Sequence, residues 1–196
     1  MNISMNRLRS PLCAFLIAAL ITGLAGLILI VIGRRRAFRL SPREAFLLTS
    51  LSWIMVATFA SLPLVMVEHL GYSDAFFETM SGITTTGSTV LVGLEHHPRG
   101  ILLWRSLLQW IGGIGFIAMG VAILPFLRVG GMRLFHSESS DWSDKVTPRF
   151  GSFARAITLI YVALSAVAWF CFWLAGMSGF DALNHAMTSI STGGYS

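Results

Sequence analysis

Two short polar stretches interrupt an otherwise apolar chain. The first reads Thr84-Thr85-Thr86-Gly87-Ser88, the second Ser191-Thr192-Gly193-Gly194-Tyr195. No Ser–Lys pairing at helical spacing accompanies them, which argues against an intramembrane enzyme of that kind. No histidine or cysteine has metal-ligand spacing. The chemistry on offer therefore lies in the backbone. Glycine takes a positive φ at no steric cost and can turn successive carbonyls toward one axis. Carbonyl oxygens around an axis can replace a cation's hydration shell. Potassium, large and weakly hydrated, suits such a site, although size, charge and softness leave sodium and ammonium open.

The two stretches belong to a repeat. DAFFETMSGITTTGST (residues 74–89) aligns without gaps on DALNHAMTSISTGGYS (residues 181–196), matching Asp74 to Asp181, Met80 to Met187, Thr85 to Thr192 and Gly87 to Gly194. Such a match within one chain marks a repeated structural unit. A single TTTGS would pass equally for a polar external loop; the aligned second copy argues against that. Each copy predicts a short helix, at about 74–84 and 181–191, covering about 15 Å or half a bilayer core. Asp74 and Asp181 are the expected N-caps, accepting from orphan amides. The far end of each helix carries partial negative charge and favours a cation there. Non-helical backbone at that depth is tolerated only against protein or a water-filled cavity, so both segments read as re-entrant.

Four apolar runs are long enough to cross a membrane and position these segments: Leu12 to Ile32, Ala45 to Val67, Ile101 to Leu127 and Phe153 to Ala175. Pro63 is expected to kink the second. Charged residues make up 12% of the 196, about half the share of a soluble domain. The net charge of +5 reflects arginines between apolar runs, a topology signal rather than a nucleic-acid surface. Arg34, Arg35, Arg36, Arg39 and Arg43 follow the first run, and Arg128, Arg133, Lys145 and Arg149 follow the third; the positive-inside rule puts both groups in the cytoplasm. The first run is too long for a signal peptide and lacks a cleavage site. Cys13 and Cys171 read as small buried residues.

The unit is thus span, re-entrant segment, span. It divides the chain into an N-terminal helix and basic loop (1–44), a first unit (45–127), a cytoplasmic loop (128–152) and an incomplete second unit (153–196). Arg105 and Gln109 lie on one face of the third span. Arg105 either braces the pore helix, with Glu78 as partner, or snorkels to the outer headgroups. Gly112, Gly113 and Gly115 suit close helix packing.

DAFFETMSGITTTGST, RSLLQWIGGIGFIAMGVAILP (105–125), GGMRLFHSES (130–139), KVTPR (145–149) and STGGYS (191–196) together resemble TrkH-type members of the Trk/Ktr/HKT potassium transporter superfamily. The resemblance implies an all-α membrane protein whose four membrane–pore–membrane units form a pseudo-fourfold pore, of which this chain holds one and a half. It puts filter carbonyls at Thr85, Thr86, Gly87 and Ser88, and by alignment at Thr192, Gly193, Gly194 and Tyr195. The residues themselves point to Asp74, Asp181, Glu78 and Arg105 as supports of the pore helices. The resemblance implies potassium as the transported ion with no cofactor, a bacterial inner-membrane location, a homodimer of the full-length protein, and a cytosolic nucleotide-binding gating subunit. Two departures follow. The family usually has two helices before its first unit, and this chain has room for one; the third and fourth units are missing. The chain therefore reads as an amino-terminal fragment, or else as a truncated remnant that inserts without transporting.

Overall fold

A computed structural model of the chain describes residues 11–33, 42–127 and 146–195. Among these there are seven α-helices and no strand: α1 (Pro11–Gly33), α2 (Pro42–Ala60), α3 (Leu62–Val67), α4 (Tyr72–Ile83), α5 (Arg99–Leu127), α6 (Val146–Leu174) and α7 (Gly179–Ile190). A single 3-10 turn, Leu94–His96, precedes α5. Arg34, Arg35, Arg36, Arg39, Arg128, Arg133 and Lys145, on which the orientation rests, lie outside the described residues, as does most of the loop expected at 128–152. Helix α6 starts at Val146, ahead of the apolar run, with Pro148 in its first turn, where a missing N–H costs nothing.

Four stretches are long and apolar enough to cross a membrane: α1, α2 continuing into α3, the first part of α5, and α6 from Ala154. Around α1, Leu12, Leu16, Leu20, Leu24 and Leu27 are exposed while only Ala14 and Ala18 are buried. An all-round apolar surface suits lipid, not water. The second run breaks where proline demands it. Pro63 has no N–H to continue the ladder, α2 ends at Ala60, and α3 restarts with Ser61 as its N-cap. Packing holds the break: Leu64, Ala75 and Leu91 form a buried cluster flanked by Val65, Leu70, Leu94 and Trp104.

The short helices are wedged between the long ones. α4 packs on α2 and α5, and α7 packs on α5 and α6. Polar anchors fix the contacts: Thr79 Oγ1 donates to the Ala57 carbonyl at 3.0 Å, and Trp104 Nε1 donates to the Ala60 carbonyl at 3.0 Å. Trp110 Nε1 donates to Ser165 Oγ at 2.8 Å, and Tyr161 Oη returns a bond to the Trp110 carbonyl at 3.1 Å. At 12 residues each, α4 and α7 are about 18 Å long, too short to span.

Candidate cation filter

The N-termini of the short helices correct one expectation. The N-caps are Gly71 and Ser178, not Asp74 and Asp181, which sit three residues inside. Ser178 Oγ accepts the Asp181 N–H at 3.2 Å and donates to Asp181 Oδ2 at 2.7 Å; the first bond is half of the capping box that the S-x-x-D spelling carries, the carboxylate taking the cap hydroxyl in place of the cap N–H. Gly71 supplies no side-chain cap. Both carboxylates stand in the first turn, where a negative charge compensates the positive end of the helix dipole.

The C-termini share the same pair of capping bonds. The Thr85 N–H donates to the Gly82 carbonyl and the Thr86 N–H to the Ser81 carbonyl, both at 3.0 Å; in the second copy Thr192 donates to Ser189 and Gly193 to Thr188, again at 3.0 Å. This is a Schellman stop, which needs a left-handed residue just past the helix, usually glycine. Here that residue is threonine, Thr85 at φ 56° and Thr192 at φ 59°. A β-branched residue in that region is strained by about 1–3 kcal/mol. Two residues on, Gly87 and Gly194 are also left-handed, at φ 78° and 59°. The intervening Thr86 and Gly193 are not, so φ alternates in sign along each segment. That alternation breaks the strand rule that puts successive carbonyls on opposite sides.

The two segments touch. A Cβ on Gly87 would stand 1.9 Å from the Gly193 carbonyl oxygen, so backbone meets backbone with no room for a side chain. Behind them lies Gln109 of α5, fully buried.

The segment that leaves the first copy is tied back onto α4. Glu78, buried on α4, accepts from Arg105 Nε at 2.8 Å, from the Thr89 hydroxyl at 2.8 Å and from the Val90 N–H at 2.9 Å. Arg105 Nη2 also donates to Thr89 Oγ1 at 3.0 Å. The two charged side chains are 3% and 0% exposed, and hydrogen bonds to the carboxylate's remaining lone pairs help offset the cost of burying them. Arg105 is thus paired within the protein rather than snorkelling outward. Tyr195 joins from the second copy: its hydroxyl donates to the Glu78 carbonyl at 2.5 Å, and its ring lies beneath the Arg105 guanidinium, 4.0 Å from centroid to Cζ. One cluster therefore fastens both segments to α4 and α5. The Ser88 carbonyl accepts from Ser81 Oγ at 2.6 Å, which turns it toward the pore helix.

The model of the TrkH family, described as cation transport protein, matches residues 13–196. The chain belongs to the TrkH family. Among curated relatives, it is 56% identical over 157 residues to the Trk system potassium uptake protein TrkI of Halomonas elongata, covering 80% of this chain and 32% of that one. It is 43% identical over 167 residues to the Trk system potassium uptake protein TrkH of Escherichia coli, covering 83% and 35%. The crystal structure of the potassium transporter TrkH from Vibrio parahaemolyticus aligns with a TM-score of 0.66 at 33% identity, over 94% of this chain and 42% of that one. The chain spans about a third of the length of the curated relatives it matches.

Within this TrkH-family chain, the expected site residues other than Asp74 and Tyr195 fall into three groups. Thr85, Thr86, Gly87, Thr192, Gly193 and Gly194 lie in the two paired segments. Glu78 and Arg105 meet, as do Asp181 and its cap Ser178. Ser88 bonds back to its own helix. Sequence reasoning did not find the side-chain role of Tyr195 or the tether through Thr89, because neither shows a spacing pattern; both depend on which elements the fold brings together.

Proposed function

We propose that the chain contributes two carbonyl segments to a potassium-selective filter, as part of a longer potassium-uptake transporter, not an enzyme, in the bacterial inner membrane. The backbone carbonyls of Thr85, Thr86 and Gly87, with those of Thr192, Gly193 and Gly194, are the proposed ligands. Ser88 and Tyr195 end the segments, the first engaged by Ser81 and the second anchored through its side chain. The helix ends at Ile83 and Ile190 add partial negative charge beside a bound cation. Dehydrating potassium needs several oxygens at once, so two segments form part of a ring that further units complete. A homodimer of the full-length protein and a cytosolic nucleotide-binding gating subunit belong to the same proposal, as does the 45–127 and 153–196 unit division.

The observation that carries this reading is the repetition of the two capping bonds and the φ pattern at Thr85–Gly87 and Thr192–Gly194, with the two copies in backbone contact. Growth rescue tests it. The full-length protein should restore growth of a potassium-uptake-deficient bacterium in low potassium, Gly87→Ser should abolish that rescue, and the 196-residue chain alone should give none. Membrane-inserted full-length protein that fails to rescue would overturn the reading.

A further inference from the structure

Gln109 is fully buried, and neither its Nε2 nor its Oε1 has a hydrogen-bond partner. Its place is specific. A Cβ on Gly193 would fall 2.0 Å from Gln109 Nε2, 2.1 Å from Cδ and 2.6 Å from Oε1, and a Cβ on Gly87 would lie 3.8 Å from the same Nε2. The carboxamide fills the seam where the two filter segments meet. It sits one helical turn from Arg105, on the same face of α5, so one face carries both the outer tether and this amide.

Burying an amide unpaired costs about 1–3 kcal/mol. A methionine of the same length would fill the space without that cost. Backbone on both sides offers N–H donors and carbonyl acceptors, the two kinds of partner a carboxamide takes. We propose that Gln109 is a positioning residue for the filter. Oε1 accepts a filter N–H and Nε2 donates to a filter carbonyl when a cation occupies the ring, and this fixes the spacing between the Gly87 and Gly193 segments. Carbonyl spacing and number decide which ion is stabilised, so the residue acts on selectivity through the backbone without touching the ion. The inference rests on the potassium-filter reading.

The test is Gln109→Met in the full-length transporter, reconstituted in liposomes and read as the ratio of potassium to sodium flux. The thermal midpoint should equal or exceed the parent's, because two unpaired polar atoms are removed. The flux ratio should fall about tenfold, the discrimination carried by one hydrogen bond. A merely structural residue, or one that only holds a buried water, would leave the ratio unchanged, and that result overturns the proposal. If Gln109→Met does not fold, Gln109→Leu decides: it keeps a similar buried volume but loses both the acceptor and the donor. Its ratio should also fall, and an unchanged ratio overturns the proposal. A parent protein with no potassium flux refutes the filter reading and this inference with it; a selective parent matched by the variant refutes the inference alone.

Discussion

Glu78→Gln isolates the tether behind the proposed filter. The substitution keeps the volume and removes the charge. Three donors point at the carboxylate: Arg105 Nε at 2.8 Å, the Thr89 hydroxyl at 2.8 Å and the Val90 N–H at 2.9 Å. A glutamine offers one acceptor oxygen and turns an NH2 group toward the remaining donors. Arg105, 3% exposed, is left without a counter-charge, a cost of about 3–5 kcal/mol. That is a hundredfold or more, roughly, in the folded population. Arg105→Met strands the carboxylate and also forfeits the stacking on Tyr195, about 1–2 kcal/mol. Removing both charges together should cost less than the sum of the single changes by about 2–3 kcal/mol, the upper range for directly coupled residues. Equilibrium unfolding of the full-length protein by SDS titration in mixed micelles measures all three variants. Single changes that each cost under about 1 kcal/mol and simply add would show a solvated pair, and the tether would not be holding the filter segment.

Other substitutions probe the surrounding packing. Gly112→Ala would place a Cβ 1.9 Å from the Ile83 carbonyl oxygen; it should destabilise the protein by about 1–3 kcal/mol or more and reduce potassium uptake, as read by thermal unfolding and growth in low potassium. Thr85→Gly relieves the left-handed strain at φ 56° and should raise the thermal midpoint by the equivalent of about 1 kcal/mol, while a looser segment lowers ion selectivity in liposomes. Tyr195→Phe deletes the hydroxyl that donates to the Glu78 carbonyl and should cost about 0.5–1.5 kcal/mol in the same unfolding assay.

The sequence made the long helices and the repeat legible because both are periodic. The gapless match of residues 74–89 to 181–196 located both short helices within about two residues, and Pro63 located the break before α3. The caps were misread because aspartate is a good N-cap in isolation, while the first-turn position it occupies here is equally favourable for its charge. Glycine was expected to supply the left-handed turns, and Gly87 and Gly194 do. The strained threonines two residues earlier were not legible, since propensity argues against them and only the surrounding hydrogen bonds enforce the conformation. The Arg105–Glu78 partnership could be guessed from the need to pair a buried charge. The Tyr195 staple and the burial of Gln109 between two segments distant in sequence could not.

Cation flux through liposomes tests the central claim most directly. The full-length protein should carry potassium in preference to sodium. Gly87→Ala should abolish that preference, because its Cβ would stand 1.9 Å from the Gly193 carbonyl oxygen and force the two segments apart. Potassium selectivity equal to the parent's in folded Gly87→Ala protein would contradict the account, since the ion would then be chosen somewhere other than where these two segments meet.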